Sequence, residues 1–488
     1  MKLYLKGHSE RYPVEQLQMQ LFGDRTTEFS ETPPQKNEDG AVSALSDGAR
    51  FRTATARITL DGRTAFASRR IVLSKADVRM TRRILQQSYY LAAVQLLPEA
   101  PPWGALSGVR PTKLSTRCLM EGGTERQADR MLRDVYFVTP ARRRLCLDAS
   151  RATVAAAQKL APRDLSVYIG IPFCPTRCAY CSFVSESVER FGEFLPPYLE
   201  CLLREVAYTG ALLRDSGWHI RSLYMGGGTP TTLSSAQMAQ LLDAVNTHLD
   251  LTRCLEFTVE GGRPDTLDAE KLRVIRDGGA TRISINPQTM SDCVLRAVGR
   301  RHTAAETVTA FEAARRAGFD DINMDLIAGL PADTPESFSD SVRQVVSLAP
   351  SGITVHTLAL KKGADLFQRR VMLPSRGEVS AMLDDAQSQL RAAGFSPYYL
   401  YRQKYMSGSF ENVGWCRAGY SGLYNIYMME ELHTILSLGG GGMNKINLAG
   451  GALERFHNPK YPQDYIERID TILRQKDEIF ALLRQADG

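Results

Sequence analysis

The run YIGIPFCPTRCAYCSF, from Tyr168 to Phe183, decides how this chain is read. It sets Cys174, Cys178 and Cys181 at the spacing C-x3-C-x2-C, with Pro172, Phe173 and Pro175 stiffening the turn. The apolar run LSVYIGI leads straight into it and reads as a buried parallel strand. Three thiolates on a loop at the C-terminal end of a strand suit a cubane iron–sulfur cluster, a group usually held by four cysteines. With three supplied, one iron stays open to a small molecule. Zinc is the competing reading, but zinc pairs its ligands as C-x2-C and needs a fourth Cys or His nearby. The residues that follow, SFVSESVERFGE, offer neither. Packing alone is a poor account of three cysteines within eight positions beside prolines.

Outward from this loop, from Leu165 to about Lys362, buried strands alternate with amphipathic helices, the pattern of parallel α/β units. The strand candidates are SVYIGI, SLYMGG, EFTVEG, RISINP, DINMDLI and GITVHTLAL. Helices around Leu195–Leu213, Ser235–Leu249, Ala269–Asp277, Ala304–Ala317 and Pro335–Leu348 connect them. Six strands predict an α/β fold, an incomplete (β/α)6 barrel, in which ligands gather at the C-terminal strand ends. Polar and glycine motifs fall at those ends. Gly226-Gly227-Gly228-Thr229-Pro230 follows the second strand, where missing Cβ atoms let the backbone approach a ligand. Glu260 ends the third strand, Gln288 the fourth, and Arg300 stands twelve residues later. Asp325 lies in the fifth strand and Ala359 at the end of the sixth. Any one of these could be a cap or surface group; in register they form a set.

With Tyr180 inside it, the three-Cys loop resembles that of the radical S-adenosylmethionine (SAM) enzymes. Its flanks, Y-x-G-I-P-F-C and C-x-Y-C-S-F, resemble the oxygen-independent coproporphyrinogen III oxidase family. The resemblance implies a [4Fe-4S] cluster on Cys174, Cys178 and Cys181, with the amino and carboxylate groups of SAM on the open iron. Cleavage of SAM to a 5′-deoxyadenosyl radical is then the cofactor's chemistry. The resemblance further implies that Tyr168, Gly227, Gly228, Thr229, Glu260 and Gln288 contact SAM. Arg300 then neighbours its carboxylate, which an Arg fork suits better than Lys. Asp325 accepts from the ribose hydroxyls, and the Ala359 backbone lies near the adenine. SLGGGGMNK resembles the family's G-x-G-A-x-A turn and puts Met443 over the adenine. No residue is assigned as a catalytic acid or base.

Two departures separate branches of the family. The bacterial oxidases carry a fourth Cys two places after the third, where this chain has Phe183 after Ser182. The Ser-Phe ending resembles the haem-carrier branch, yet that branch carries H-N-x-x-Y-W where this chain reads Tyr424-Asn425-Ile426-Tyr427-Met428-Met429. PYYLYRQKYMSGSFENVGW, Pro397 to Trp415, resembles the subgroup named as a coproporphyrinogen dehydrogenase, which has an N-terminal extension. In it Tyr398, Tyr399, Tyr401, Arg402, Lys404 and Asn412 read as a pocket for a flat tetrapyrrole bearing propionates. Core packing is the other reading of each tyrosine. Cys118, Cys146, Cys201, Cys254, Cys293 and Cys416 read as structural, and His433 as a surface histidine rather than a haem ligand.

The chain's 488 residues exceed one ordinary core. Hydrophobic residues at 43% and charged ones at 23% describe a soluble globular protein, and no apolar run approaches the ~20 residues of a membrane span. The start, MKLYLKGHSERYPVE, lacks a secretory signal's apolar stretch, and nine cysteines without a disulfide pattern point to a reducing compartment. Cytoplasm is the expected location. The net charge of +6 neither demands nor excludes an anionic partner. The arginines between Arg110 and Arg151, interleaved with Glu125, Asp129 and Asp134, read first as a solvated helix face with intrahelical ion pairs and second as a docking surface for nucleic acid or an acidic protein.

Four segments are expected: an α+β module over 1–75, a helical extension over 76–162, the radical SAM core over 163–370, and a C-terminal α+β region over 371–488 that covers the substrate. In the first, KLYLKG is a strand, PVEQLQMQLFG a helix, and Asp61-Gly62 the turn of a hairpin. The leading function is oxidative decarboxylation of two propionates of coproporphyrinogen III, giving protoporphyrinogen IX. Its partners are the tetrapyrrole, an electron donor for the cluster and an external electron acceptor. A haem carrier of the same family is the second reading. An RNA-modifying enzyme comes last, since no nucleic-acid-binding motif is present.

Overall fold

The computed structural model describes residues 1–23, 25–181, 185–360, 363–369, 371–402, 410–448 and 451–485. They form two compact units: Met1–Ser150 with Arg402 and Phe410, and Arg151–Tyr401 with the chain from Glu411 onward.

In the first unit β1 (Lys2–Lys6), β2 (Glu28–Ser30), β3 (Gly40–Asp47), β4 (Phe51–Leu60) and β5 (Arg63–Val72) form one sheet in the order β2-β1-β3-β4-β5. Asp61 and Gly62, both at positive φ (49° and 76°), close the β4–β5 hairpin as an Asp-Gly pair favours. β3, absent from the expected elements, supplies the hairpin's antiparallel neighbour. Alternation turns Ala54, Ala56 and Ile58 to one face. There they pack with Val14 and Leu17 of α1 (Arg11–Leu21) and Ile84, Leu85 and Tyr89 of α2 (Val78–Ala93). Three helices follow, α3 (Thr112–Met120), α4 (Glu125–Asp134) and α5 (Pro140–Ala157). Arg117 of α3 pairs with Glu121 just past the helix end at 2.7 Å. Arg142 is buried instead, and Arg143 reaches across to Asp129 of α4 at 2.7 Å, so this face is partly packing.

The second unit carries β6 (Asp164–Ile171), β7 (His219–Gly227), β8 (Glu256–Gly262), β9 (Arg282–Ile285), β10 (Asp321–Ala328) and β11 (Gly352–Thr357), neighbouring and parallel in chain order. Between them run α6 (Leu195–Arg214), α7 (Ser235–His248), α8 (Ala269–Asp277), α9 (Ala304–Arg316) and α10 (Pro335–Ser347). Ser234 and Thr303 start α7 and α9 with reciprocal capping boxes to Gln237 and Glu306. This is the expected incomplete (β/α)6 barrel. After α11 (Arg376–Ala392) come β12 (Ser396–Arg402), β13 (Glu411–Cys416), α12 (Leu423–Glu430), β14 (Thr434–Gly439), β15 (Met443–Asn447), β16 (Leu453–His457) and α13 (Ile469–Gln485). β13 pairs antiparallel with β11, and β14 pairs parallel with β6. The C-terminal chain thus extends the same sheet at both edges.

Period-two alternation splits the parallel strands sharply. Val167, Ile169, Leu223, Met225, Val259, Ile283, Met324 and Ile353 share one face and are buried apolar. The other face carries Tyr168, Tyr224, Glu260, Ser284, Asp325 and His356. Lower on that face, buried Glu256 accepts hydrogen bonds from Leu423 N (2.5 Å) and Tyr424 N (3.2 Å), the opening turn of α12. Gly422, at the N-cap of that helix, has no side chain for the task. Glu256→Ala strands two buried N–H groups, and urea unfolding should show a loss of about 3 kcal/mol. Glu256→Gln keeps an acceptor and should lose about half as much.

Candidate functional site

β6 delivers the chain through Pro172 and Phe173 to the three cysteines. Cys181 N donates to Cys178 O at 3.0 Å, closing the turn. Ala179 N donates to Val298 O and Leu366 N to Ala179 O, both at 3.0 Å, so the loop is tied on two sides. Cys174, Cys178 and Cys181 are free thiols, each partly exposed. Among the described residues no three His, Cys, Asp or Glu side chains converge on a single ion. A cubane asks for no such convergence, because each thiolate takes a different iron.

The surroundings fit anionic sulfur. Thr229 Oγ1 donates to Cys174 Sγ at 3.4 Å. Burial pushes the Cys174 thiol up, while the hydrogen bond from Thr229 pulls the other way. Burial alone would lower the Arg300 guanidinium, but Tyr180 and Cys178 beside it raise it, so it stays charged. A Cβ on Gly228 would stand 2.5 Å from the Phe173 carbonyl oxygen and 3.0 Å from Cys174 Sγ. Only glycine lets the exit of β7 lie this close to the loop, fixed by Gly228 N to Ile171 O (2.8 Å) and Thr229 N to Phe173 O (2.7 Å).

Among the described residues, the buried Gln288 Oε1 and Arg300 Nε are two of the polar atoms without a hydrogen-bond partner. An orphaned acceptor just past β9 and an orphaned donor in the segment that follows suit a ligand with both functions. Gln288 is also held at φ 69°, rare outside glycine, by its N–H to Asp325 O and its carbonyl to Ile327 N, each 2.9 Å. Backbone strain of this kind gathers at ligand clamps. Arg300 is anchored by Nη1 to Asn286 O at 2.6 Å.

Next to the rim lie two carboxylates with opposite shifts. Burial raises Glu260 to about 7; the Tyr224 hydroxyl and the Gly227 N–H, which donate to it, hold it lower than burial alone would. Burial would raise Asp325 too, but His356 Nε2 at 3.7 Å and Asn323 Nδ2 at 2.7 Å keep it below its ordinary value. The Tyr224 and Tyr424 rings stack at 4.6 Å, each 6.3 Å from the ring of Tyr168. Tyr224, Tyr424 and His356 were not singled out from sequence. The signal was present for two of them, at period-two positions from Gly226 in SLYMGG and Thr354 in GITVHTLAL.

Residues 168–345 match the model of the Radical SAM superfamily. The oxygen-independent coproporphyrinogen-III oxidase-like protein HemZ of Bacillus subtilis is 38% identical over 380 residues, 77% of this chain and 76% of that protein. The chain belongs to this oxidase-like family of radical SAM proteins. The family includes Heme chaperone HemW of B. subtilis, 29% identical over 335 residues (66% of this chain, 84% of that one). It also includes the oxygen-independent coproporphyrinogen III oxidase of Pseudomonas aeruginosa, 36% identical over 240 residues (48% and 52%). The solved structure of coproporphyrinogen III oxidase HemN from Escherichia coli shares the fold, with a TM-score of 0.53 and 24% identity over 66% of this chain and 73% of that one. As a radical SAM protein the chain takes a [4Fe-4S] cluster and SAM. No helix among the described residues is long and apolar enough to cross a membrane.

The remaining expected residues of this radical SAM protein lie past the sixth strand and in the C-terminal chain. Ala359 lies just past β11, after Leu358 N has bonded Ala328 O at 2.9 Å. Met443 opens β15 opposite His457; the glycine turn before it meets the rim, through Gly439 in register with Gly170. Tyr398 and Tyr399 are buried in a cluster with Cys416, Leu423, Ile426 and Tyr427. Tyr401 stacks on Tyr399, and Asn412 Oδ1 accepts from Thr357 N at 2.8 Å. Arg402 caps the Leu106 carbonyl at 2.5 Å and lies over the Trp103 ring. Core packing therefore accounts for this group; Lys404, Ser182 and Phe183 lie outside the described residues. His433 is buried, not a surface residue. Its Nε2 meets Ser166 Oγ at 2.7 Å and burial pushes its pKa down to about 3, because the chain turns inward there to add β14 to the sheet.

Proposed function

We propose that this protein is an oxygen-independent oxidoreductase that converts coproporphyrinogen III to protoporphyrinogen IX. The observation that carries the reading is the rim itself: three part-exposed thiols, a glycine passage beside them, and the orphaned Gln288 Oε1 and Arg300 Nε. The substrate class rests on the printed names of the HemZ and P. aeruginosa relatives. In this reading Cys174, Cys178 and Cys181 hold the [4Fe-4S] cluster. When bound, the reduced cluster and SAM supply a radical able to take hydrogen from an unactivated carbon. Gly227, Gly228 and Thr229 would contact the amino-acid end of SAM, and Tyr168 would contact the same cofactor. Glu260 accepts from its amino group, and Gln288 and Arg300 serve its polar end. Asp325, held ionised, accepts from the ribose hydroxyls, while Ala359 and Met443 border the adenine. Two propionates lose carbon dioxide, and an external acceptor takes the electrons that leave with the vinyl groups formed.

The likeness to Heme chaperone HemW, of which this chain spans 84%, favours a second reading, a haem carrier. One experiment separates them. Cluster-loaded protein is incubated anaerobically with SAM, a reductant and coproporphyrinogen III, and the products are weighed by mass spectrometry. Protoporphyrinogen with matching 5′-deoxyadenosine supports the oxidase. Neither product, together with tight haem binding, replaces it with the carrier.

A further inference from the structure

Lys476 on α13 and Glu205 on α6 form an ion pair at 3.1 Å with both side chains fully buried. Taking two charges out of water costs several kcal/mol each, and an apolar pair of like volume often serves stability as well. The remaining bonding capacity of this pair is aimed at the end of β14 and the glycine turn Gly439–Gly442. Glu205 accepts from Gly439 N at 2.7 Å, Tyr465 OH at 2.5 Å and Asn458 Nδ2 at 3.2 Å. Lys476 donates to Ser437 O at 2.5 Å and Asn444 Oδ1 at 3.2 Å.

The turn they hold touches β6 by backbone. Gly439 has φ 83°, and a Cβ there would fall on the Gly170 carbonyl oxygen. Tyr198 OH bridges the two, donating to Gly170 O at 2.6 Å and accepting from Gly440 N at 2.7 Å. Gly170 lies between Tyr168 and the first cysteine of the loop, Cys174. A displacement of the turn therefore moves the strand end that carries the rim.

We propose that the Glu205–Lys476 pair is a positioning element: it seats the glycine turn against Gly170, and so the C-terminal helix α13 sets how tightly the rim binds SAM. This rests on the placing of SAM at that rim. The test uses full-length, cluster-loaded protein and the double variant E205Q/K476M, which removes both charges together and keeps an acceptor for Gly439 N. Iron content, thermal midpoint, SAM affinity by equilibrium dialysis and kcat at saturating SAM are measured. The expected variant keeps its iron and midpoint, binds SAM about tenfold more weakly, and retains kcat within about twofold, the mark of lost positioning. Unchanged SAM affinity overturns the proposal and leaves the pair as packing. Should the double variant lose its iron, Tyr465→Phe, which removes one donor to Glu205 and no charge, takes its place; about threefold weaker SAM binding supports the proposal and none overturns it. Unmodified protein that fails to bind SAM overturns the site assignment, and this proposal with it.

Discussion

Cys178→Ala is expected to abolish the brown absorbance of the reconstituted protein and reduce SAM cleavage to background, and Cys174→Ala and Cys181→Ala should do the same. Thr229 bonds Cys174 but brings no thiolate, and Arg300, beside Cys178, is a cation that ligates nothing. Losing one thiolate leaves two protein ligands for the cluster, and the iron meant for the cofactor is no longer the only open one. Controls come from the chain itself. Cys293→Ala alters an exposed side chain, and Cys416→Ala a buried one bonded to Ser421 at 3.4 Å; neither should change absorbance or cleavage. Iron and sulfide analysis alongside the visible spectrum reads the result. A Cys178→Ala protein with intact absorbance and deoxyadenosine formation would sink the cluster assignment.

Local periodicity made the parallel core legible. α8 runs over Ala269–Asp277 as read from the sequence, and the other four connecting helices end within a residue or so of expectation. The strand-end residues were legible too, because each follows an apolar run into a turn. Partner identity was not. β14 joins β6, and β13 joins β11, across long stretches of chain, and nothing in TILSLG or ENVGWC names the strand it will meet. That hidden pairing is why His433 reads as a surface residue and is buried against Ser166. PYYLYR carries the same ambiguity: aromatic residues suit a tetrapyrrole pocket or a core equally, and burial of Tyr398 and Tyr399 decides for the core. The Tyr224–Tyr424 stack needed both strand register and the placing of α12, which Glu256 fixes from a distant strand.

Glu260 should give the protein two pH slopes of opposite sign. Its carboxyl is raised from an ordinary 4.5 to about 7, so the folded chain holds the proton more tightly than the unfolded chain does. The stability this contributes is complete below the ordinary value and is lost as pH rises through about 7, roughly 3 kcal/mol in all. Relative to Glu260→Gln, protein without SAM should therefore lose stability progressively across that window, against the opposing rise from buried His433 and His302, both held below their ordinary value. Asp325, held below its ordinary value, is already ionised there and adds no slope. SAM binding should run the other way, since the carboxylate and not the acid accepts from the amino group. Tyr168, Tyr424 and His356 also face Glu260, but Tyr224 alone among them donates a hydrogen bond to it. Tyr224→Phe removes a donor that favours the ionised form, so the midpoint of SAM binding should move about one unit to higher pH. Glu260→Gln should flatten the stability slope and weaken SAM binding at alkaline pH by about 30-fold, the worth of one hydrogen bond to a charged group. Thermal midpoints with and without SAM, taken across the pH range for all three proteins, read both slopes. Any slope surviving in the Gln variant's difference between the curves with and without SAM belongs to the amino group of SAM. A Gln variant that keeps the wild-type difference between the two curves would remove Glu260 from the site.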